Sequence, residues 1–186
     1  MIGVVALLIA CGFLIAHLAS VGIVLWRLRA PQSPDGFIGL PRVTLLRPVC
    51  GLDTFDVETL ESSFRQDYPD FEIIFCADHP DDPAVALARR LIAAYPRVQA
   101  RVLIGQSAIS GNPKLNNLAK GWQAAGSDWI CMTDSNLMLP RDYLCRVVQS
   151  WGPKTGLVSG PPVGSRPSGL GGSLECAFLN SNQARM

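Results

Sequence analysis

The chain opens with a long apolar stretch. From Ile2 to Trp26 no charged residue occurs and almost every side chain is apolar. At a rise of about 1.5 Å per residue, such a helix is long enough to cross a bilayer core of about 30 Å. A cleaved signal peptide is disfavoured, because the run is too long for one and no basic residue precedes it. The pattern predicts a transmembrane anchor over residues 1–27, and Arg27 and Arg29 predict that the following part lies on the cytoplasmic side.

Beyond the anchor the pattern changes to a linker and then to an alternation of element types. Residues 28–41 are rich in proline and glycine, which disfavour regular structure, and a globular domain is predicted over 42–186. Five apolar, β-rich runs predict strands at Val43–Arg47, Phe71–Ala77, Val98–Ile104, Asp128–Thr133 and Gly156–Gly160. Runs with helical periodicity between them predict helices at Asp56–Gln66, Pro83–Tyr95, Lys114–Ala125 and Pro140–Trp151.

The strand runs FEIIFCA and DWICMT are almost continuously apolar. Strands of this kind are covered on both faces, which is typical of parallel sheets. In the helix predicted after FEIIFCA, Val85, Ala88 and Leu91 fall on one face, opposite Arg89 and Arg90. We therefore expect an α/β fold with a doubly wound, mostly parallel sheet.

Composition and charge narrow the function. With 186 residues the chain has room for one membrane segment and one globular domain. Its net charge is +1 and its basic residues are dispersed, so a nucleic acid is disfavoured as a partner. The sequence contains neither a G-x-G-x-x-G nor a G-x-x-x-x-G-K-[ST] motif, which disfavours dinucleotide dehydrogenases and P-loop enzymes.

Acidic residues follow two of the predicted strands, where open parallel sheets bind ligands. Asp78 directly follows FEIIFCA and is predicted to accept hydrogen bonds from a nucleobase or ribose, with an ordinary turn aspartate as the alternative. Asp82, followed by Pro83, has the features of a helix N-cap. Asp134 follows DWICMT and is predicted to hold Mg²⁺ or Mn²⁺ at a diphosphate, with Asn136 at best a neutral oxygen ligand.

A third candidate element is the turn GNPKLNNL, which places Lys114, Asn116 and Asn117 at the start of a predicted helix. A helix N-terminus with a lysine forms an anion site suited to a diphosphate. The alternative is that Asn112 and Pro113 merely begin the helix and that the two later asparagines are solvated.

Taken in order, five segments resemble the ceramide glucosyltransferases and their bacterial relatives: VTLLRPVCGLD, RQDYPDFEIIFCADHPDDPA, GNPKLNNL, DWICMTDSN and GLVSGPP. The resemblance covers nearly all of Val43–Pro162. It implies a GT-A-type inverting glycosyltransferase, anchored by an N-terminal helix with its catalytic domain in the cytosol. Such an enzyme transfers glucose from UDP-glucose to a lipid hydroxyl, that of ceramide.

The resemblance also implies roles for residues. Asp78 matches the aspartate that contacts the nucleoside, and Asp134 matches the one that meets the metal and diphosphate. Lys114, Asn116 and Asn117 match the NPK-x-NN segment of the family. The general base and a Q/R-x-x-R-W segment are expected beyond Met186, so the chain is expected to hold the donor half only and to be inactive alone.

Several alternatives stay open at this point. The acceptor is ceramide or another lipid such as a hopanoid, and the donor is UDP-glucose or another nucleotide-sugar. A membrane-tethered nucleotide-sugar binding module without catalysis, or a structural anchor protein, is also compatible with the residues. In a bacterium the anchor would lie in the inner membrane.

Overall fold

The computed structural model describes residues 2–29, 39–105 and 107–181, and the chain divides into two compact units. The sheet unit is Gly36–Thr155, and the helical unit combines Met1–Asp35 with Gly156–Met186. The predicted linker over 28–41 lies for the most part outside the described residues.

In the part of the helical unit that the structure describes there are two helices, α1 (Ile2–Arg29) and α6 (Gly169–Ser181). Within α1 the segment Gly3–Ile23 has a mean hydropathy of 2.5 and none of it is buried. By length and composition this helix is able to cross a membrane, as the apolar pattern predicts. The helix α6 has no buried residue, and the sequence pattern does not predict it.

The sheet unit alternates strands and helices as expected. Its strands are β1 (Val43–Pro48), β2 (Phe71–Ala77), β3 (Gln99–Ile104) and β4 (Trp129–Met132). Its α-helices are α2 (Asp56–Ser62), α3 (Pro83–Ala94), α4 (Pro113–Gln123) and α5 (Tyr143–Gln149), and a 3₁₀ turn at Ser63–Arg65 extends α2. The strand order is β3-β2-β1-β4, and every pairing between these strands is parallel.

Helices cover both faces of the sheet. Successive residues of β2 alternate between the faces, so that Phe75 belongs to the core cluster shared with α3, whereas Ile74 and Cys76 form a second cluster with α4. In α3 the apolar face is buried and Arg89 and Arg90 are exposed. The prediction of a doubly wound parallel sheet is therefore confirmed.

One burial prediction and one strand prediction are wrong. A strand forms within DWICMT as predicted, but β4 is not covered on both faces, because its first three residues are only partly buried and Met132 remains 51% exposed. Gly156–Gly160 is not a strand, since Leu157, Val158 and Ser159 are flanked by glycines and pair with no neighbouring strand. Of the predicted helix Pro140–Trp151, only the central two turns form.

Gly121 allows α4 to pack closely on the sheet. A Cβ at this position would lie 2.6 Å from Cys76 Sγ and 3.3 Å from Leu46 Cδ2, both in buried strands.

We expect Gly121→Val to destabilise the fold by about 1–3 kcal/mol, because overpacking outweighs the helix propensity gained. Urea unfolding of the full-length protein measures this change. Gly156→Val is the matched control, because a Cβ there would meet no atom of the described residues within 4 Å apart from its chain neighbours. Equal stability of the two variants would contradict the packing assignment.

Candidate functional site

The predicted acidic residues lie at the same edge of the sheet. β1 is the central neighbour of both β2 and β4, and all three strands run in parallel, so their carboxyl ends meet at one edge. Asp78 follows β2, and Asp134 follows β4. Two interstrand spacings separate the ends of β2 and β4, which is about 10 Å. The two aspartates therefore lie at the same edge of the sheet, at a separation that one elongated ligand can span.

Asp78 is a partly exposed carboxylate. Its side chain is 35% exposed, and Oδ2 lies 3.4 Å from Nε2 of the exposed His79. Nearby, the Lys120 ammonium donates hydrogen bonds to the carbonyls of Ala77, at 2.6 Å, and Gly105. Burial lowers the pKa of Lys120, while the Asp78 charge acts in the opposite direction. The end of β2 therefore combines an accessible acceptor with a fixed cation.

Asp82 caps α3, as predicted, and has a second role. Its Oδ1 accepts a hydrogen bond from Ala84 N at 2.8 Å. Both carboxylate oxygens also accept from Gly51 N at 3.0 Å, where the glycine has φ +67°. The cap thus fixes the loop after β1 against the start of α3, and both of these segments lie at the carboxyl edge of the sheet.

Lys114 and Asp134 form an ion pair, although 20 residues separate them in sequence. The Lys114 ammonium donates to Asp134 Oδ1, and the two side chains are 52% and 54% exposed. An ion pair this exposed contributes little to stability and exchanges readily. The structure therefore brings the predicted anion site and the predicted metal site to one place.

Asn112 explains how Lys114 is directed there. Its side chain accepts hydrogen bonds from Lys114 N at 3.0 Å and Leu115 N at 3.3 Å, and Pro113 occupies the first turn. This N-cap begins α4 at the carboxyl edge of the sheet. Lys114 consequently extends from the first turn of α4 toward the end of β4.

Asn116 and Asn117 are buried rather than solvated. The Asn116 carboxamide oxygen accepts from Ile109 N at 3.1 Å and Ser110 N at 2.9 Å, and its nitrogen donates to Ser110 O. Asn117 Nδ2 donates to Cys76 O at 2.7 Å. Both residues thus shape the loop before α4 and attach that helix to β2. Their contact with a nucleotide-sugar stays a prediction.

Sequence reasoning missed Arg47, whose side chain is fully buried in β1. Its guanidinium donates to Ser63 Oγ at 3.0 Å, Ser135 O at 2.9 Å and Leu137 O at 3.0 Å. Burial lowers the pKa of Arg47 to about 10, while nearby groups, including Asp134, oppose the shift. The available signal was a single charged residue within the apolar run VTLLRP.

The side-chain oxygens at the end of β4 fit a divalent cation that is held partly by the protein and partly by a bound ligand. Within the described ranges, no three His, Cys, Asp or Glu side chains cluster as metal ligands. Asp134 and the exposed Asn136 offer one carboxylate and one amide, and Mg²⁺ is commonly bound by one or two carboxylates together with substrate phosphates. Asp134 is exposed and pairs with the ammonium group of Lys114.

Known proteins resemble this chain in sequence and fold. It is 44% identical over 112 residues to the ceramide glucosyltransferase of Komagataella phaffii, covering 58% of this chain and 22% of that protein. It is 27% identical over 178 residues to ceramide glucosyltransferase 3 of Caenorhabditis elegans, covering 95% of this chain and 38% of that protein. The chain thus spans well under half the length of these relatives.

Among solved structures, a mannosyltransferase from Pyrobaculum calidifontis in complex with GDP-Man and Mn²⁺ is similar, with a TM-score of 0.58 and 22% identity. The match covers 75% of this chain and 42% of that one. This likeness confirms the GT-A-like fold expected from the sequence. The model of glycosyl transferase family 21 matches residues 4–186, nearly the whole chain, and the chain belongs to that family.

Proposed function

We propose that the full-length protein transfers glucose from UDP-glucose to the hydroxyl of ceramide, with inversion at the anomeric carbon, and that this chain supplies the donor-binding part. The observation that carries this proposal is the Lys114–Asp134 ion pair at the carboxyl edge of the sheet. In this pair the Lys114 ammonium, which we propose binds a phosphate of the donor, lies beside the carboxylate proposed to hold the metal. Curated relatives named as ceramide glucosyltransferases support the choice of donor and acceptor.

The donor would lie along the edge between the two aspartates. Asp78 would accept hydrogen bonds from the nucleoside, and Asp134 with Asn136 would hold Mg²⁺ or Mn²⁺. Lys114 then exchanges its contact with Asp134 for one with a phosphate oxygen, which the low stability of an exposed ion pair allows. Asn116 and Asn117 keep the loop and helix of this wall in place, as their buried hydrogen bonds support.

The reaction is a displacement at the anomeric carbon. The ceramide oxygen forms a bond to that carbon while the bond to the β-phosphate oxygen breaks, and the electron pair leaves with UDP. The hydroxyl proton passes to a carboxylate base, which we expect beyond Met186. A divalent cation held by Asp134 and Asn136 would supply charge neutralisation at the departing diphosphate. The 186-residue chain alone is therefore expected to bind donor without turnover.

The domain organisation follows the same proposal. Residues 1–27 anchor the protein in the membrane, 28–41 are the linker, and 42–186 belong to a glycosyltransferase domain that continues beyond this chain. The long apolar helix α1 supports the anchor, and Arg27 and Arg29 support a cytoplasmic catalytic domain. A membrane anchor places the enzyme beside its lipid acceptor.

A donor and acceptor panel tests the function. Full-length protein in detergent is incubated with labelled UDP-glucose, UDP-galactose or GDP-mannose and with ceramide, a hopanoid or diacylglycerol. We expect product with UDP-glucose and ceramide, at least about tenfold above any other pair. If only the hopanoid is glycosylated, the proposed acceptor is wrong and a hopanoid takes the place of ceramide. If UDP binds but no lipid is glycosylated, the result would favour a non-catalytic binding module.

A further inference from the structure

Buried side chains hold the loop that carries Asp134, and Arg47 makes two of these contacts. Arg47 donates hydrogen bonds to two carbonyl oxygens of this loop, those of Ser135 at 2.9 Å and Leu137 at 3.0 Å. Its other nitrogen donates to Ser63 Oγ at 3.0 Å, which connects the loop to the turn after α2. The two loop contacts bracket Asn136, and Asp134 lies just before them.

Stability alone does not explain a buried arginine here. Among the described residues, no carboxylate lies within ion-pair distance of Arg47, and its Nε is buried without a hydrogen-bond partner. A buried cation that is incompletely compensated stabilises a fold less than an apolar side chain of similar volume would. The position of this cation therefore points to a task at the site above it.

The hydrogen bonds of Arg47 orient the loop. A trans peptide is planar, so its N–H points opposite to its C=O. Because the carbonyls of Ser135 and Leu137 point toward the guanidinium, the N–H groups of Asn136 and Met138 turn away from it. Thr59 Oγ1 donates to the same Ser135 carbonyl at 2.6 Å, which adds a neutral anchor at this point.

We propose that Arg47 is a positioning residue for the metal-diphosphate site, setting the orientation of Asp134 and Asn136 through the Ser135 and Leu137 carbonyls. This inference rests on the proposed donor site, because it gives Arg47 its task there. Groups that orient metal ligands without touching the metal typically change metal affinity about 10–100-fold when replaced. Arg47 also places a positive charge beneath the region where the donor diphosphate would bind.

The test measures Mn²⁺ affinity rather than activity. Full-length wild type, Arg47→Met and Arg47→Lys are titrated with Mn²⁺ in the presence of saturating UDP, with bound Mn²⁺ followed by its electron paramagnetic resonance signal. The thermal unfolding midpoint of each protein is recorded in parallel. We expect Arg47→Met to weaken Mn²⁺ binding about 10–100-fold. Arg47→Lys should recover part of the loss, since an ammonium group can still donate to the loop carbonyls.

Glu72→Gln is the matched control. Glu72 is equally buried, but it lies at the amino end of β2, where it accepts from Thr44 Oγ1 at 2.9 Å and pairs with Arg101 at 3.0 Å. Its replacement should lower the unfolding midpoint without changing Mn²⁺ affinity. An Arg47→Met protein with a lowered midpoint and wild-type Mn²⁺ affinity would overturn the positioning role.

Further results separate a failure of the proposed role of Arg47 from a failure of the proposed function. If Arg47→Met does not fold, Arg47→Lys carries the test, and wild-type Mn²⁺ affinity in Arg47→Lys would overturn the proposal. Thr59→Val, which removes the neutral anchor of the same carbonyl, is a second probe of the loop. If wild-type protein binds neither UDP nor Mn²⁺, the proposed function itself is wrong, and the task given to Arg47 with it. Weaker Mn²⁺ binding by Thr59→Val at an unchanged midpoint would support the positioning role.

Discussion

Full-length protein carrying Asp134→Ala is expected to lose transfer from UDP-glucose to ceramide by about three orders of magnitude or more. Among the described residues, Asp134 is the only carboxylate in the proposed set of metal ligands. Charge stabilisation by a metal ion at a departing diphosphate contributes several kcal/mol, and each 1.36 kcal/mol corresponds to about a tenfold change in rate. Radiolabelled transfer to ceramide, assayed over a range of Mn²⁺ and Mg²⁺ concentrations, measures the loss.

Separate controls test whether a loss of activity in Asp134→Ala comes from unfolding or from the removal of any exposed aspartate next to β4. The Lys114–Asp134 ion pair is exposed, so its removal should leave the unfolding midpoint almost unchanged. Asp128→Ala provides the matched control, because Asp128 is an exposed aspartate at the opposite end of β4, and that variant should keep wild-type activity. Asp134→Asn keeps the shape without the charge and should be nearly as inactive. Wild-type activity in Asp134→Ala would rule out the metal assignment.

Asp78→Ala in the full-length protein should raise the KM for UDP-glucose and weaken UDP binding about 10–100-fold, with a smaller effect on kcat. A hydrogen bond to a charged group contributes about 1.5–3 kcal/mol, which corresponds to that range. The nucleoside is bound in both the ground state and the transition state, so its contacts affect KM first. Calorimetric titration with UDP and steady-state kinetics over donor concentration provide the two readouts.

The neighbouring Asp81 supplies the comparison for Asp78. It is exposed in the same loop but does not directly follow the strand. Asp81→Ala should bind UDP like wild type. A loss of UDP affinity in Asp81→Ala, with none in Asp78→Ala, would place the nucleoside contact elsewhere in the loop.

Element types were predictable where the pattern was strong. The apolar run of β2 and the one-sided periodicity of α3 each identify their element, because burial on two faces or on one face leaves different periodicities. Prediction failed for the burial of β4 and for the strand at Gly156–Gly160. An apolar run does not reveal how completely neighbouring elements cover the two faces of a strand, and a short β-rich run forms a strand only if a partner is available.

Within the site, the position of the acidic residues at strand ends was predictable from the sequence, but the contacts between side chains were not. Asp78 and Asp134 follow strands, and this suffices to place them at one edge once the sheet is parallel. The burial of Asn116 and Asn117 was not predictable, because polar side chains near a helix start are usually solvated. Arg47 escaped notice for a related reason, since its acceptors lie 88 and 90 residues away.

The sequence by itself determined the long apolar helix, the alternation of strands and helices, the caps at Asp82 and Asn112, and the family. These features depend on neighbours in the chain, on periodicity or on motifs, all of which the linear order carries. The tertiary structure alone decided the strand order, the contact between Lys114 and Asp134, and the support of the Asp134 loop by Arg47. Those features depend on which distant segments lie side by side, and local patterns do not encode the identity of a long-range partner.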